Sequence, residues 1–273
     1  MKVQAEGGEA GAACAAARGD VVVVVDALRA SVSITAALAA GAQRVIPVQT
    51  VEQARAYCAK PGFLVAGERG GVQVPGFDYG NSPSELLRHA DQLARQALVL
   101  TTSNGTRCIE AARRGASAVL AGSLPNADAV IRAARHLASA RARDVTLVAA
   151  GTGNGESAVE DDLAVAILAA KLAGQGTETE AWAPAVQVED AFREGPNGRR
   201  LRKLGYGEDV VLCARLNVFD VVGVLEAEGF VSMGVKASGG DGQRAGPGPD
   251  GTTARSFSSI SWPTKGIASR SEG

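Results

Sequence analysis

The sequence predicts an α/β protein built on a mainly parallel sheet covered by helices. Three observations carry that expectation. Val21–Val25 is an unbroken valine run between Asp20 and Asp26, and a continuous β-branched run marks a strand buried on both faces. Further apolar runs of strand length alternate with helical stretches at βα spacing, the signature of a parallel sheet. Polar, glycine-containing loops follow several of those runs, and open parallel sheets bind ligands where loops leave the carboxyl ends of their strands.

After the valine run, residues 30–40 have helical character and stop at Gly41, a plausible C′ glycine. Residues 44–48 are strand-like. Thr50-x-x-Gln53 is a capping box that opens a helix to about Lys60. Residues 63–66 form the next strand. Ser82-Pro83-Ser84-Glu85 combines an N-cap serine, an N1 proline and a capping glutamate, so a helix starts there. Strands follow at 97–101, 116–121 and 144–150, alternating with helices from about 105, over 127–138 and over 159–173. Beyond Gly174 the pattern weakens. Short helices are expected at 190–195, 198–204 and 209–216, and a late strand at 221–225.

Three regions follow from this pattern. Residues 1–19 are low in complexity, rich in alanine and glycine. Residues 20–235 hold the folded region, with a division into two subdomains near 174 left open. Residues 236–273 are dominated by Gly, Ser, Pro and Arg without periodicity and read as a disordered tail.

The chain has 273 residues and a formal net charge of −1, so no nucleic-acid or membrane-surface partner is expected. No apolar run approaches the roughly 18 residues needed to span a bilayer. Met1 to Arg18 lacks a signal-peptide core. A cytoplasmic location follows, and a homo-oligomer is left open. Cys14, Cys58, Cys108 and Cys213 are far apart and read as free thiols. With only two histidines, His89 and His136, a multi-histidine metal site is excluded.

Asp26 stands immediately after the valine strand, where α/β enzymes often present a carboxylate to the ligand crevice. A helix N-cap explains it equally well on position alone. Arg29 lies near the same helix start, free to pair with Asp26 or with an anion. Asp26-Ala27-Leu28 lacks the second carboxylate of an Asp-x-Asp phosphatase motif. Glu68-Arg69-Gly70-Gly71 suits a metal-ligand carboxylate, an anion-binding guanidinium and close backbone approach. A solvated turn carrying a surface ion pair is the plainer explanation. Thr101-Thr102-Ser103-Asn104-Gly105-Thr106 is a hydroxyl-rich strand-to-helix turn, and a helix N-terminus offers unpaired amides to phosphate or carboxylate. It is not a Walker loop. Gly151-Thr152-Gly153-Asn154-Gly155 misses the dinucleotide-loop spacing. Glu160-Asp161-Asp162 opens a helix, where acids complement the dipole or complete a Mg²⁺ shell.

Together these motifs resemble the 2-phosphosulfolactate phosphatase family. The matching pieces are Val24-Val25-Asp26-Ala27-Leu28-Arg29-Ala30-Ser31, Gly67-Glu68-Arg69-Gly70-Gly71, Gly76-Phe77-Asp78-Tyr79-Gly80-Asn81-Ser82-Pro83 and Thr101 through Arg107. Ser123-x-x-Asn126-Ala127, Ala150-Gly151 and Glu160-Asp161 continue the match in order, over roughly residues 20–219. The resemblance implies that family's own α/β fold and Mg²⁺-dependent hydrolysis of 2-phospho-3-sulfolactate to 3-sulfolactate, a step of coenzyme M biosynthesis. Val222-Gly223 stands where the family leads one to expect Val-Pro, and the first strand is replaced by alanine- and glycine-rich sequence.

The expected catalytic residues are Asp26, Glu68 and Arg69. Asp26, Glu68 and Asp161 are the expected Mg²⁺ ligands. Arg29, Thr101, Thr102, Ser103, Asn104, Gly105 and Thr106 are the expected holders of a small phosphorylated sulfonate or carboxylate. Asp78 is either the general acid or a structural turn residue. Two rival classes remain: a metal-independent phosphatase using Asp26 as nucleophile, and an anion-binding protein without turnover.

Overall fold

The computed structural model describes residues 1–152, 155–174 and 185–233. The expected tail, 236–273, lies outside the described residues. The strands are β1 Val3–Gly7, β2 Val21–Val25, β3 Arg44–Pro47, β4 Phe63–Arg69, β5 Val72–Gln73, β6 Ala97–Thr101, β7 Ala118–Ala121, β8 Val145–Ala149, β9 Val222–Glu226 and β10 Gly229–Met233. The helices are α1 Gly8–Arg18, α2 Ala30–Ala39, α3 Val51–Arg55, α4 Pro83–Arg88, α5 Ala90–Leu93, α6 Gly105–Arg113, α7 Ala127–Arg141, α8 Val159–Leu172, α9 Ala185–Glu194, α10 Pro196–Lys203 and α11 Gly207–Ala214.

The strands form one sheet in the order β1-β8-β2-β7-β9-β10-β3-β6-β4-β5. β1, β8, β2 and β7 are mutually parallel, as are β3, β6 and β4. An antiparallel hairpin, β9 and β10, joins these two groups by pairing outward with β7 and β3. The sheet is therefore mainly parallel, as expected.

The sheet also curls. Four strands separate β2 from β6, which would place them about 24 Å apart in a flat sheet at the usual strand spacing. Yet a Cβ built on Gly105, just after β6, would lie 2.7 Å from Asp26 Oδ2, just after β2. The curl wraps around α2, whose residues from Ala30 to Leu38 are all buried. A helix apolar or small on every side is one enclosed by its protein. Gly223 belongs to this packing, since a Cβ there would press on Ile34, Leu38 and Phe230 within 3.2 Å. On the other face of the sheet, α7 and α8 cover Val21, Val23, Leu120 and Leu147.

Several expectations need correction. The first strand, expected to be replaced by alanine- and glycine-rich sequence, is present: β1 pairs in parallel with β8 from Val3–Val145 to Gly7–Ala149. The alanines of α1 are its packing face, with Ala12 and Ala15 fully buried. A Cβ on Gly115, after α6, would meet Ala16 O at 2.7 Å, so only small residues allow this approach. The helix opened by Thr50 ends at Arg55. Tyr57, Cys58 and Lys60 then donate to carbonyls three residues back, tightening the chain into turns. β4 runs to Arg69, three residues past its expected end, because β5 folds back onto it at Glu68–Gln73 and Arg69–Val72. Gly70 and Gly71, both with positive φ, make the two-residue turn between them. The residues after Gly174 add no separate core. Phe192, Leu201 and Val210 join the cluster that holds Leu147 and Leu168, and the described residues form one compact unit.

Candidate active site

Four strand ends and two helices converge on a cavity of about 250 Å³. Asp26 arrives after β2, Glu68 near the end of β4, Ser103 and Asn104 after β6, and Gly151 and Thr152 after β8. Glu160 and Asp161 come from the first turn of α8. Asn197, Arg200 and Leu201 of α10 line it from another side, and Asn81 precedes α4. β2 and β8 are parallel to each other, as are β4 and β6, and all four reach the cavity at their carboxyl ends, where parallel strands bind ligands.

Four carboxylates line this one space, and each is buried. Asp26 Oδ1 accepts from the Ala30 amide at 3.1 Å, and the Gly105 amide also supports the carboxylate. Glu68 Oε1 accepts from the Ser103 amide and hydroxyl at 2.8 and 2.9 Å, and its Oε2 from the Gly71 amide at 2.6 Å. Asp161 accepts from the Ala27 and Gly151 amides at 2.7 and 2.9 Å. Glu160 Oε1 accepts from Asn197 Nδ2 at 2.6 Å. Burial drives the Asp26 pKa up to about 6, against the pull of its amide donors, with Glu68 and Glu160 adding repulsion. Burial, then Asp26, likewise pushes Asp161 well above the ordinary carboxylate range. Cys108 is pushed up to about 12 by burial, helped by Asp26 and Asp161, and stays a neutral thiol.

Glu160 Oε2, Asn104 Oδ1, Asn81 Oδ1 and Thr152 Oγ1 are buried side-chain oxygens without a hydrogen-bond partner, and all four residues line the cavity. Unsatisfied buried acceptors are costly. Among the described residues, no three Asp, Glu, His or Cys side chains converge tightly enough to cage a metal. Mg²⁺ does not require a cage, since it keeps waters and takes one or two carboxylates plus substrate phosphate. An all-oxygen donor set with desolvated acids and orphaned acceptors fits that ion.

The other expected residues divide. Ser103 and Asn104 reach the cavity, and Gly105 lets α6 close on Asp26. Thr101, Thr102 and Thr106 do not line it. Thr101 Oγ1 accepts from Arg69, and Thr106 Oγ1 donates to Thr102 O. The N-terminus of α6, expected to cradle the substrate anion, instead meets the Asp26 carboxylate. Arg69 is exposed and away from the cavity, donating to Glu68 O, Gln49 O and Thr101 Oγ1. Arg29 lines the cavity, but its guanidinium is engaged by Asp209 Oδ2 at 2.7 Å, Gly71 O at 3.1 Å and the Tyr206 ring at 4.3 Å. Asp78 is a turn residue whose Oδ2 accepts from the Val65 amide at 2.8 Å. Sequence reasoning missed Asn81, Thr152, Asn197 and Arg200 as cavity residues, and it offered Glu160 for a Mg²⁺ shell without placing it in the expected ligand set. Glu160 adjoins the flagged Asp161, whereas Asn197 and Arg200 sit in a helix with no local motif.

Gly105→Ala tests how tightly the site is packed. Its Cβ would meet Asp26 Oδ2 at 2.7 Å and Ala30 Cβ at 2.8 Å. Overpacking of this kind costs about 1–3 kcal/mol. Chemical unfolding is expected to show that loss, together with reduced turnover. A variant as stable and active as the parent would show that α6 does not press on Asp26.

The sequence profile of 2-phosphosulfolactate phosphatase matches residues 12–228. The chain belongs to the 2-phosphosulfolactate phosphatase family. The match spans all the cavity residues named above. The chain is 44% identical over 201 residues to the 2-phosphosulfolactate phosphatase of Methanothermobacter thermautotrophicus, covering 72% of this chain and 82% of that one. It is 38% identical over 210 residues to a Carboxydothermus hydrogenoformans protein named probable 2-phosphosulfolactate phosphatase, covering 74% and 84%. A Thermotoga petrophila protein of the same name is 36% identical over 210 residues, covering 74% and 88%. No helix among the described residues is long and apolar enough to cross a membrane.

Proposed function

We propose that this chain hydrolyses 2-phospho-3-sulfolactate to 3-sulfolactate and inorganic phosphate, with Mg²⁺ held by the carboxylate cavity. The observation that carries the reading is that cavity, a buried acid cluster with unpaired oxygens at the strand ends of a member of this phosphatase family. Glu160, through its free Oε2, is the ligand the geometry favours, and Asp26 stands in the same cavity as the charged neighbour whose proton the site controls. Glu68 and Asp161 orient the walls, because backbone amides occupy both oxygens of each.

When bound, Mg²⁺ would polarise the phosphoryl oxygens and neutralise charge spreading onto them. The chain's own part is to fix Asp26 by two amides and bury it, so that it exchanges a proton near neutral pH. Asn81, Asn104 and Thr152 present polar atoms to the substrate or its water. Overall, water adds to phosphorus, the ester P–O bond breaks, and a proton passes to the leaving oxygen.

Phosphate release from 2-phospho-3-sulfolactate is the direct test. It is expected with Mg²⁺, lost with EDTA and restored by excess Mg²⁺. Full turnover after exhaustive chelation would overturn the metal, and no release from this ester would overturn the substrate. The acids predict a second signature. A carboxylate raised from 3.8 to about 6 favours the folded state fully below pH 3.8 and loses that contribution as pH rises through 6. The shift corresponds to about 3 kcal/mol. The metal-free protein should therefore lose stability between about pH 4 and 6, and Mg²⁺ should raise the melting temperature more at pH 8 than at pH 5. Equal Mg²⁺ shifts at both pH values would detach the ion from these carboxylates.

A further inference from the structure

The proposed substrate carries a phosphate, a sulfonate and a carboxylate, yet the cavity walls are net negative. Among the described residues, Asp26, Glu68, Glu160 and Asp161 share the cavity with two arginines, Arg29 and Arg200. Arg29 is 2% exposed and committed to Asp209, Gly71 O and Tyr206. Arg107, beyond the cavity, is paired with Glu9. Arg200 differs. It lines the cavity, is exposed, and has no ion-pair or hydrogen-bond partner for its guanidinium among the described residues.

Its position is fixed by the helix beneath it. A Cβ on Gly198 would fall 1.7 Å from Phe192 O, so α10 sits directly on the end of α9. Asn197 anchors the same helix to Glu160. Asn197, Arg200 and Leu201 are spaced i, i+3 and i+4, which puts them on one helix face. Arg200 Nε lies 4.0 Å from the Cβ position of Gly71, at the rim above the β4–β5 turn, while the acids form the buried floor.

We infer that Arg200 binds the sulfonate, one of the two substrate anions that are not transferred, and so sets specificity. The inference rests on the proposed function. The acid floor repels anions and receives the phosphate only through a bound cation. That leaves the far end of the substrate to the rim, where a guanidinium fork matches a fully ionised tetrahedral group through charge-assisted hydrogen bonds.

The test uses Arg200→Ala and Arg200→Lys in the full chain, with 2-phospho-3-sulfolactate and 2-phospholactate, which lacks the sulfonate. Arg200→Ala is expected to raise KM for the sulfonated ester roughly 10- to 100-fold, with a smaller change in kcat, the scale of a lost charged hydrogen bond. The preference for the sulfonated ester should collapse, and Arg200→Lys should restore part of it. The same preference in Arg200→Ala as in the parent would overturn the assignment. Calorimetric binding of 3-sulfolactate separates the two readings. If the parent hydrolyses neither ester, the proposed function fails. Weaker 3-sulfolactate binding by Arg200→Ala would then still support the anion site, and equal binding would overturn it. Arg200 is exposed, so the variants should melt with the parent.

Discussion

Asp26→Asn is expected to reduce phosphate release by at least about a thousandfold, which is about 4 kcal/mol of transition-state stabilisation, while leaving the protein folded. Asn keeps an Oδ1 acceptor for the Ala30 amide, so the contact that starts α2 survives. It loses the negative charge that faces Glu68 and Glu160. Because that charge is buried at a cost, removing it offsets the lost contact with the Gly105 amide, so the metal-free variant at pH 8 should be about as stable as the parent, with a flatter stability profile between about pH 4 and 6. The Mg²⁺-induced melting shift should shrink with it. Lower stability with near-parent turnover is the opposite pattern. It would reduce Asp26 to a helix cap and remove the proposed chemistry from this cavity. Glu68→Gln is a less clean probe. Its oxygens accept from two amides and a hydroxyl, so an amide NH₂ would face another N–H donor. That variant should lose both stability and activity.

The parallel strands were legible because their signal is local. A valine run between two aspartates and short apolar segments between helices need no knowledge of partners. β1 and α1 were not, because alanine and glycine carry little strand or helix contrast, and their value appears only where α1 meets α6 and Gly115. β10 was missed for a related reason. Its role is to close the gap between β7 and β3, a long-range pairing that leaves no periodic mark in five residues. At the site, most residues next to strands are legible, as is Asp161 at the start of α8, but Thr152 after β8 and the residues of α10 are not. Asp26, Glu68, Ser103 and Asn104 follow from the rule that ligands bind at strand ends. Asn197 and Arg200 arrive through α10, whose placement depends on Gly198 packing against Phe192 O. The arginines show the limit most plainly. Arg29, Arg69 and Arg107 sit in or beside conspicuous motifs, but each is consumed by partners that sequence does not reveal. Asp209, the partner of Arg29, is 180 residues away.

Asp209→Ala is expected to cost about 3–5 kcal/mol, the usual penalty for removing one member of a buried ion pair. Asp209 is fully buried and Arg29 nearly so. The lost carboxylate also accepts from the Ser82 hydroxyl at 2.9 Å, the Ser84 amide at 3.1 Å and the Ser84 hydroxyl. Removing it leaves a guanidinium without a counter-ion and frees the start of α4 from α11. For a domain of this size the melting temperature should fall by on the order of 10 °C. Activity should fall as well, because Arg29 also holds Gly71 O, and the Gly71 amide holds Glu68. The pair Arg29→Met with Asp209→Leu separates the two consequences. Apolar replacement of both members of a buried pair is often near neutral, so the double variant should unfold close to the parent in urea. It still lacks the donor to Gly71 O, so Glu68 should be held less firmly and turnover should stay low. An Asp209→Ala protein that melts within a degree of the parent would show that the pair does not tie α11 to the site. A double variant with full turnover would show that Arg29 does not position the β4–β5 turn.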